Sequence, residues 1–519
     1  MHWAYEIAEK LIRKFPEKEV YTCASGISPS GHVHIGNFRE VVTTYFVVKA
    51  LQSYGKRTRF IFSWDDYDRL RKIPADVDSG LAQYIGMPYA DVPSPEAGKS
   101  YASYFETEFE ETLQQFHIYP EYINQNREYR SGRYNELIKI ALLKRKEIYD
   151  ILQRFKTSKP IQEEREAFFP ISCYCHKCNK DFTSILSFDE EWGKIYYSCE
   201  CGFHGSQSLK EQHAMKLNWK VDWAMRWSLE DVVFEPGGRD HSSATGSYNV
   251  SKEIARDIFQ FEAPEYTAYE FIGIKGTYEK MSSSSGNTIT PRELLQVYTP
   301  EVILFMFAKY HPSNAFHFSF DEDVLRHFSE YERYCKSYSK ITNETIVKSM
   351  ELAGWERSVR LPGFNHLAGI FPLIGYNNEL LLKLLEQADE KYSFKQLIMI
   401  SRRVSYWIKK WQPERDIKVN SEKNLLYYQH LPLEQKEYIS RFVYILKEGT
   451  VMTENELMSR LYTICHHEDK KRMKASQRDL FKSIYNLVLN RSSGPRIPLL
   501  IAAIGKERLI DLLSFDTCL

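Results

Sequence analysis

Long apolar runs are missing from this chain: no stretch approaches the ~20 consecutive apolar residues that a bilayer-crossing helix requires. Met1 to Pro16 is a short amphipathic segment without the apolar centre of a secretion signal. Net charge is missing as well, with 69 Lys+Arg against 69 Asp+Glu, so overall charge gives no pointer to a nucleic-acid partner. No internal repeat and no long low-complexity linker interrupts the 519 residues, which suffice for two to four domains and a large core. Cysteine is the residue that is not scarce. Of nine, five fall between 173 and 201, a clustering that argues against a disulfide scaffold and for a reducing compartment. The expectation is a cytoplasmic protein. The charge is also unevenly divided: residues 401–519 carry 21 Lys+Arg and 14 Asp+Glu, a net of +7 that leaves −7 for the rest. A basic C-terminal portion fits a surface that tracks a phosphate backbone, and it equally fits an ordinary solvated helical surface.

The apolar run Val20 to Ala24 predicts a buried strand. Ser25-Gly26-Ile27-Ser28-Pro29-Ser30-Gly31 then reads as a turn, and helical sequence runs from near Val33 to about Leu51. Such a strand–loop–helix unit aims backbone N–H groups and the positive end of a helix dipole at an anion. His34 and Asn37 share one face of the first helical turn, and Gly31 and Gly36 let the backbone approach a nucleotide. Far downstream, Lys280-Met281-Ser282-Ser283-Ser284 places one cation among several hydroxyls. Each segment alone fits a helix cap or a surface loop. Together, in this order, they fit two sides of one nucleoside triphosphate, with His34 and Asn37 donating to phosphate oxygens and Lys280 facing the leaving group.

Cys175-His176-Lys177-Cys178 and Cys199-Glu200-Cys201 set four thiolates in two knuckles, the donor set of tetrahedral Zn²⁺. Four sulfur ligands leave no open position, so the zinc is expected to be structural. Gly202 suits a tight turn after the second knuckle, Cys173, His176 and His204 are spare candidates, and a chance cluster of free cysteines is the alternative.

Residues 1–130 alternate strand-like and helix-like segments, with a second strand at Thr58–Trp64, which implies a parallel sheet and a nucleotide site at its carboxyl edge. Residues 131–214 form a connecting insert, helical and charged from Tyr129 to Lys159 and then cysteine-rich. Alternation returns over 215–320 with Val232–Phe234 and Tyr269–Ile274. From 321 to 519 helix follows helix, and Leu380 to Leu385 reads as a segment buried on much of its circumference. The expected fold is α/β: a split Rossmann-like parallel-sheet domain with a zinc-binding insert, followed by an all-α C-terminal region.

The two phosphate-handling segments resemble the signature motifs of class I aminoacyl-tRNA synthetases, normally His-Ile-Gly-His and Lys-Met-Ser-Lys-Ser. Ala24 to Gly31, Asp65 to Lys72, Trp219 to Trp227 and Phe234 to His241 resemble more narrowly the class I lysyl-tRNA synthetases, as does Asn37 at the fourth position of the first motif. The resemblance covers roughly residues 1–320. It implies an enzyme that couples L-lysine to ATP and passes it to the 3′ end of tRNA(Lys), with Mg²⁺ and a structural Zn²⁺. It also implies that residues 321–519 bind the tRNA anticodon; the aromatic and basic stretch Tyr406 to Trp411 could supply stacking and phosphate contacts, or could form an amphipathic core helix. ATP would meet Gly31, Gly36, Gly238, Asp240, Lys280, Met281, Ser282, Ser283 and Ser284. Lysine would meet Gly26, Ser28, Trp219, His241 and Tyr269, and Asp65, Asp66, Asp222 and Glu270 are all open as its acidic partner. One departure stands out: Ser283 fills the position of the second lysine of the class motif, and Ser285 follows where lysyl enzymes commonly carry one.

Three rival readings share some of these features. A glutamyl enzyme would need a cation such as Arg226 or Arg239 for the substrate side chain. A small-substrate nucleotidyltransferase would leave the helical tail unused. A catalytically silent RNA-binding relative would account for the weakened serine loop.

Overall fold

A computed structural model describes every residue except 74–78, 95, 97, 276–288, 357–359, 449–452 and 516–519. By its contacts the chain divides into two compact units: Met1–Leu295 with Pro300–Ser319 and Ser337–Trp355, and Gln296–Thr299 with Phe320–Lys336 and Glu356–Leu519.

The first unit is built on a five-stranded parallel sheet with the order Glu265–Tyr269, Val232–Gly238, Val20–Ile27, Arg57–Trp64, Glu121–Asn124. Chain order reverses between Val20–Ile27 and Val232–Gly238, so the crevice beyond the carboxyl ends of these strands is the natural ligand site. Val20–Ile27 runs three residues past the expected end at Ala24. Ser25, Gly26 and Ile27 stay extended because Phe62, Ser63 and Trp64 complete the ladder beside them, so neighbouring backbone overrides a local turn composition. The helix Ile35–Ser53 is rich in β-branched residues, yet Val41, Val42, Thr43, Thr44, Val47 and Val48 are all buried. Packing on nearly every side outweighs their modest helix propensity. The amphipathic N-terminal segment is the helix Trp3–Lys14, capped by the His2 ring accepting from the Ala4 N–H.

Tyr269–Ile274, expected as one strand, is two. Glu265–Tyr269 pairs with Val232–Gly238, whereas Ile272–Ile274 pairs in parallel with Phe316–Phe318. Between them Arg39 captures the Glu270 carbonyl at 2.7 Å. The insert is rooted by the antiparallel pair Ile171–Cys173 and Met215–Leu217, and carries a three-stranded antiparallel sheet of Thr183–Asp189, Lys194–Cys199 and His204–Ser208.

Among its described residues the second unit is helical, with Phe394–Trp411 at its centre. Trp407 on that helix is fully buried and donates to the Phe320 carbonyl at 2.9 Å. The helix Asn378–Gln387 is not buried all round: Leu381 and Leu385 face inward, while Leu380 is 36% exposed. Its leucine run is an ordinary amphipathic stripe, because a spacing of four residues brings only one row of side chains to the core. No described helix is long and apolar enough to cross a membrane.

Candidate active site

His34 is the N-cap of Ile35–Ser53. Its Nδ1 accepts the N–H groups of Gly36 at 3.0 Å and Asn37 at 3.2 Å. A Cβ on Gly36 would lie 2.9 Å from the His34 ring, so the cap itself requires glycine there. The next orphan donor, the Ile35 N–H, is bonded to the Ile289 carbonyl at 2.9 Å, and the Lys275 N–H is bonded to the Phe318 carbonyl at 2.9 Å. Both flanks of the segment containing Lys280, Met281, Ser282, Ser283 and Ser284 are thereby fixed, the downstream one to the start of the His34 helix. Those five residues lie outside the described ones.

One turn into the same helix, Glu40 joins two distant parts of the site. Its carboxylate accepts the Gly26 N–H at 2.9 Å and the Tyr269 hydroxyl at 2.8 Å. Burial, with the Glu235 carboxylate nearby, pushes the Glu40 carboxyl up to about 8 against the opposing effect of these donors. The adjacent Arg39 donates to the carbonyls of Glu270, His311 and Asn314 at 2.7, 3.0 and 2.9 Å. Arg39 and Glu40 therefore hold the Tyr269–Glu270 strand end from two directions. The Glu270 carboxylate is paired with Arg239 at 2.5 Å.

Across the switch point stand the aromatics of the helix Trp219–Glu230. Trp219 and Trp223 are stacked at 5.1 Å, and the His241 ring lies 6.4 Å from Trp219 and 5.9 Å from Trp223. The Arg226 guanidinium sits 5.2 Å over the Trp219 ring and is bound to Asp65 at 2.7 Å and Asp222 at 3.2 Å. Lys216 meets Asp68 at 2.9 Å and Asp222 at 3.7 Å, and Ser28 donates to the other Asp68 oxygen at 3.4 Å. Asp66 accepts the Asn126 N–H at 2.7 Å, and burial pushes its carboxyl up to about 7.

In the insert, the sulfurs of Cys175, Cys178, Cys199 and Cys201 lie within 4.8 Å of one another, with Cys175–Cys201 at 3.8 Å and Cys178–Cys199 at 3.6 Å. Tetrahedral zinc with ~2.3 Å bonds needs sulfurs about 3.8 Å apart, so the donor set fits. The Gly202 φ of +82° and its N–H bond to the Cys199 carbonyl at 2.9 Å form the tight turn that closes the second knuckle.

A histidine-capped helix after the first strand, a split parallel sheet and a convergent four-sulfur cluster coincide with a match of residues 1–355 to the family model of tRNA synthetases class I (K). The chain belongs to that family. Among relatives of this synthetase, the lysine–tRNA ligase of Treponema pallidum (strain Nichols) is 35% identical over 99% of this chain and 98% of its own length. That of Borreliella burgdorferi is 36% identical over 99% of each, and that of Thermococcus kodakarensis 33% identical over 99% of this chain and all of its own.

The synthetase brings Gly26 and Tyr269 together through Glu40, Ser28 onto the Asp68 cluster, and His241 onto Trp219. Gly238 ends its strand, and Asp240 follows, exposed, in the turn Arg239–His241. Asp65, Asp66, Asp222 and Glu270, each open as the acidic partner of lysine, all hold partners within the protein. Glu40 is the residue that sequence reasoning missed. Its one local signal is position: three residues beyond Asn37, on the same helical face. The Tyr406–Trp411 stretch divides: Trp407 and Ile408 are core, while Lys409, Lys410 and Trp411 are exposed.

Proposed function

We propose that this chain is a class I lysine–tRNA ligase, which activates L-lysine with ATP and transfers it to the 3′ end of tRNA(Lys). The observation that carries the amino-acid assignment is the Glu40 carboxylate. It sits between Gly26 and Tyr269 at the switch point, while the two arginines open as the cation for a glutamate substrate are engaged, Arg226 by two aspartates and Arg239 by Glu270. The full-length relatives named as lysine–tRNA ligases agree with it.

In this reading the lysine ammonium is drawn to Glu40, and the aliphatic stem lies against Trp219, Tyr269 and His241, whose faces also attract the cation. Gly26 and Ser28 line the near side. The substrate carboxylate is itself the nucleophile toward the α-phosphorus of ATP, so the protein supplies no attacking group. It supplies position and charge. His34 Nδ1 accepts two backbone N–H groups, so the ring proton resides on Nε2, which makes that nitrogen the donor to a phosphate oxygen. Asn37 acts beside it, Gly31 and Gly36 admit the nucleotide, Gly238 and Asp240 serve the ribose, and Lys280 with Met281 to Ser284 serves the departing pyrophosphate.

Mg²⁺ supplies charge to the triphosphate. It would be carried in on the phosphate oxygens of ATP, since Mg²⁺ is commonly held by substrate phosphates. Zn²⁺ at Cys175, Cys178, Cys199 and Cys201 cross-links the insert. The helical C-terminal region docks the anticodon arm, with Lys409, Lys410 and Trp411 on the outer side of its central helix. The four reduced thiolates fit a cytoplasmic setting.

Pyrophosphate exchange measured with each of the twenty amino acids, with and without tRNA, tests the assignment. Exchange that depends on lysine is expected. Exchange driven by glutamate, or none under any condition, refutes it.

A further inference from the structure

The Lys216–Asp68 pair belongs to neither the phosphate site nor the metal knuckle, yet it lies between the insert and the amino-acid end. Lys216 is carried by the insert's root strand, where it stands opposite Ser172 in the pairing of Met215–Leu217 with Ile171–Cys173. Two residues past that strand the first knuckle begins at Cys175, and Thr183 of the knuckle's sheet donates to the Cys173 carbonyl at 2.7 Å. Lys216 therefore moves only with the insert's base. Its side chain is 8% exposed and reaches out of the insert into a cluster of three carboxylates, Asp65, Asp68 and Asp222. Arg226 is the other cation in that cluster.

Two chains of contacts run from Lys216 to residues of the amino-acid end. One passes through Asp68, whose second oxygen accepts the Ser28 hydroxyl at 3.4 Å. The other passes through Asp222, which sits between Lys216 at 3.7 Å and Arg226 at 3.2 Å, and Arg226 lies 5.2 Å over Trp219. The buried Tyr129 hydroxyl braces the arrangement, accepting the Leu217 N–H at 3.2 Å and donating to Asp222. A buried ion network holds one geometry only while every member is present, because removing one partner leaves an uncompensated charge that must move, protonate or recruit water.

We infer that Lys216 is a positioning residue for the amino-acid end of the site, by which the cysteine-bearing insert sets the orientation of Ser28 and Trp219 toward the substrate. The inference rests on the proposal that lysine binds at those two residues. It goes further in assigning the insert a part in amino-acid affinity rather than in folding alone. The contacts of Lys216 run to Ser28 and Trp219, the residues assigned to lysine, so its influence falls on lysine affinity more than on ATP.

The test is Lys216→Met in the full-length protein, read by pyrophosphate exchange and by tryptophan fluorescence titration with lysine alone. The KM and Kd for lysine are expected to rise about tenfold or more, with the ATP KM changed by less than about twofold and Lys216→Arg recovering most of the loss. Asp68→Asn, which keeps the shape of the side chain, is expected to shift lysine affinity in the same direction and serves if Lys216→Met does not fold. Adding Ser28→Ala to Asp68→Asn should cost less than the two single effects combined, since both cut one path. An unchanged lysine KM in folded variants overturns the inference, as does a parallel loss of kcat, ATP affinity and thermal stability that Lys216→Arg does not repair. Those outcomes leave wild-type lysine-dependent exchange intact. Its absence in the wild type overturns the lysine reading itself, and the inference with it.

Discussion

Glu40→Gln isolates the charge at the centre of the proposed amino-acid site. Glutamine keeps the shape, one oxygen for the Gly26 N–H, and an amide that bonds the Tyr269 hydroxyl once that hydroxyl turns to accept. What is lost is the charge offered to the lysine ammonium. A hydrogen bond between charged groups contributes about 1.5–3 kcal/mol, so the KM for lysine should rise about 10- to 150-fold while the ATP KM stays put. Acidity adds a second signature. The free-protein carboxyl is held at about 8, and an incoming ammonium favours its ionised form, so lysine binding releases a proton. The wild-type KM for lysine should therefore fall by up to about tenfold per unit as pH rises toward 8, then level off, and the variant should show no such slope. Stability follows the opposite course. The folded pKa lies above the ordinary 4.5, so the contribution of this group to stability is full below about 4.5 and is lost as pH rises through about 8. The variant should thus match the wild type at pH 5 and exceed it at pH 8 by on the order of 1–2 kcal/mol, allowing for partial exposure. Steady-state exchange kinetics from pH 6 to 9 and melts at the two pH values are the assays. A variant with wild-type lysine KM and an unaltered pH slope would refute the role of Glu40.

Lys280→Ala should slow adenylate formation by about 100- to 1,000-fold in rapid-quench measurements, with a much smaller change in ATP binding; unchanged activation kinetics exclude Lys280 from the leaving-group role. Complete removal of metal by a chelator should expose residues 170–205 to trypsin, since four thiolates without their ion repel and relax; retained resistance after verified metal loss counts against a zinc-held insert. Trp407→Ala, which opens a cavity and breaks the bond to the Phe320 carbonyl, should cost about 3–5 kcal/mol in denaturant melts of the helical region, and a loss below about 1 kcal/mol would show that the helix is not central to that core.

The strand–loop–helix unit around His34 was legible because its determinants are local. A strand, a Gly/Pro/Ser turn and a capping residue are specified within a few residues of His34, and the capping bonds from Gly36 and Asn37 never leave that turn. The sulfur cluster was legible for the same reason, as knuckle spacing constrains where thiolates can converge. The strand ends were less so: Ser25 to Ile27 and the break at Glu270 depend on ladders and on Arg39, whose acceptors lie more than 200 positions along the chain. The charges were the least readable. Asp65, Asp66, Asp222 and Glu270 were equivalent candidates on composition, and only the fold commits each to a partner. It leaves Glu40 facing Tyr269, 229 residues away. The sequence by itself thus determined which chemistry this protein carries, through motifs whose geometry is set by covalent neighbours. The tertiary structure alone decided which carboxylates are paired with a cation and which one faces Tyr269, because pairing and burial are properties of neighbours in space.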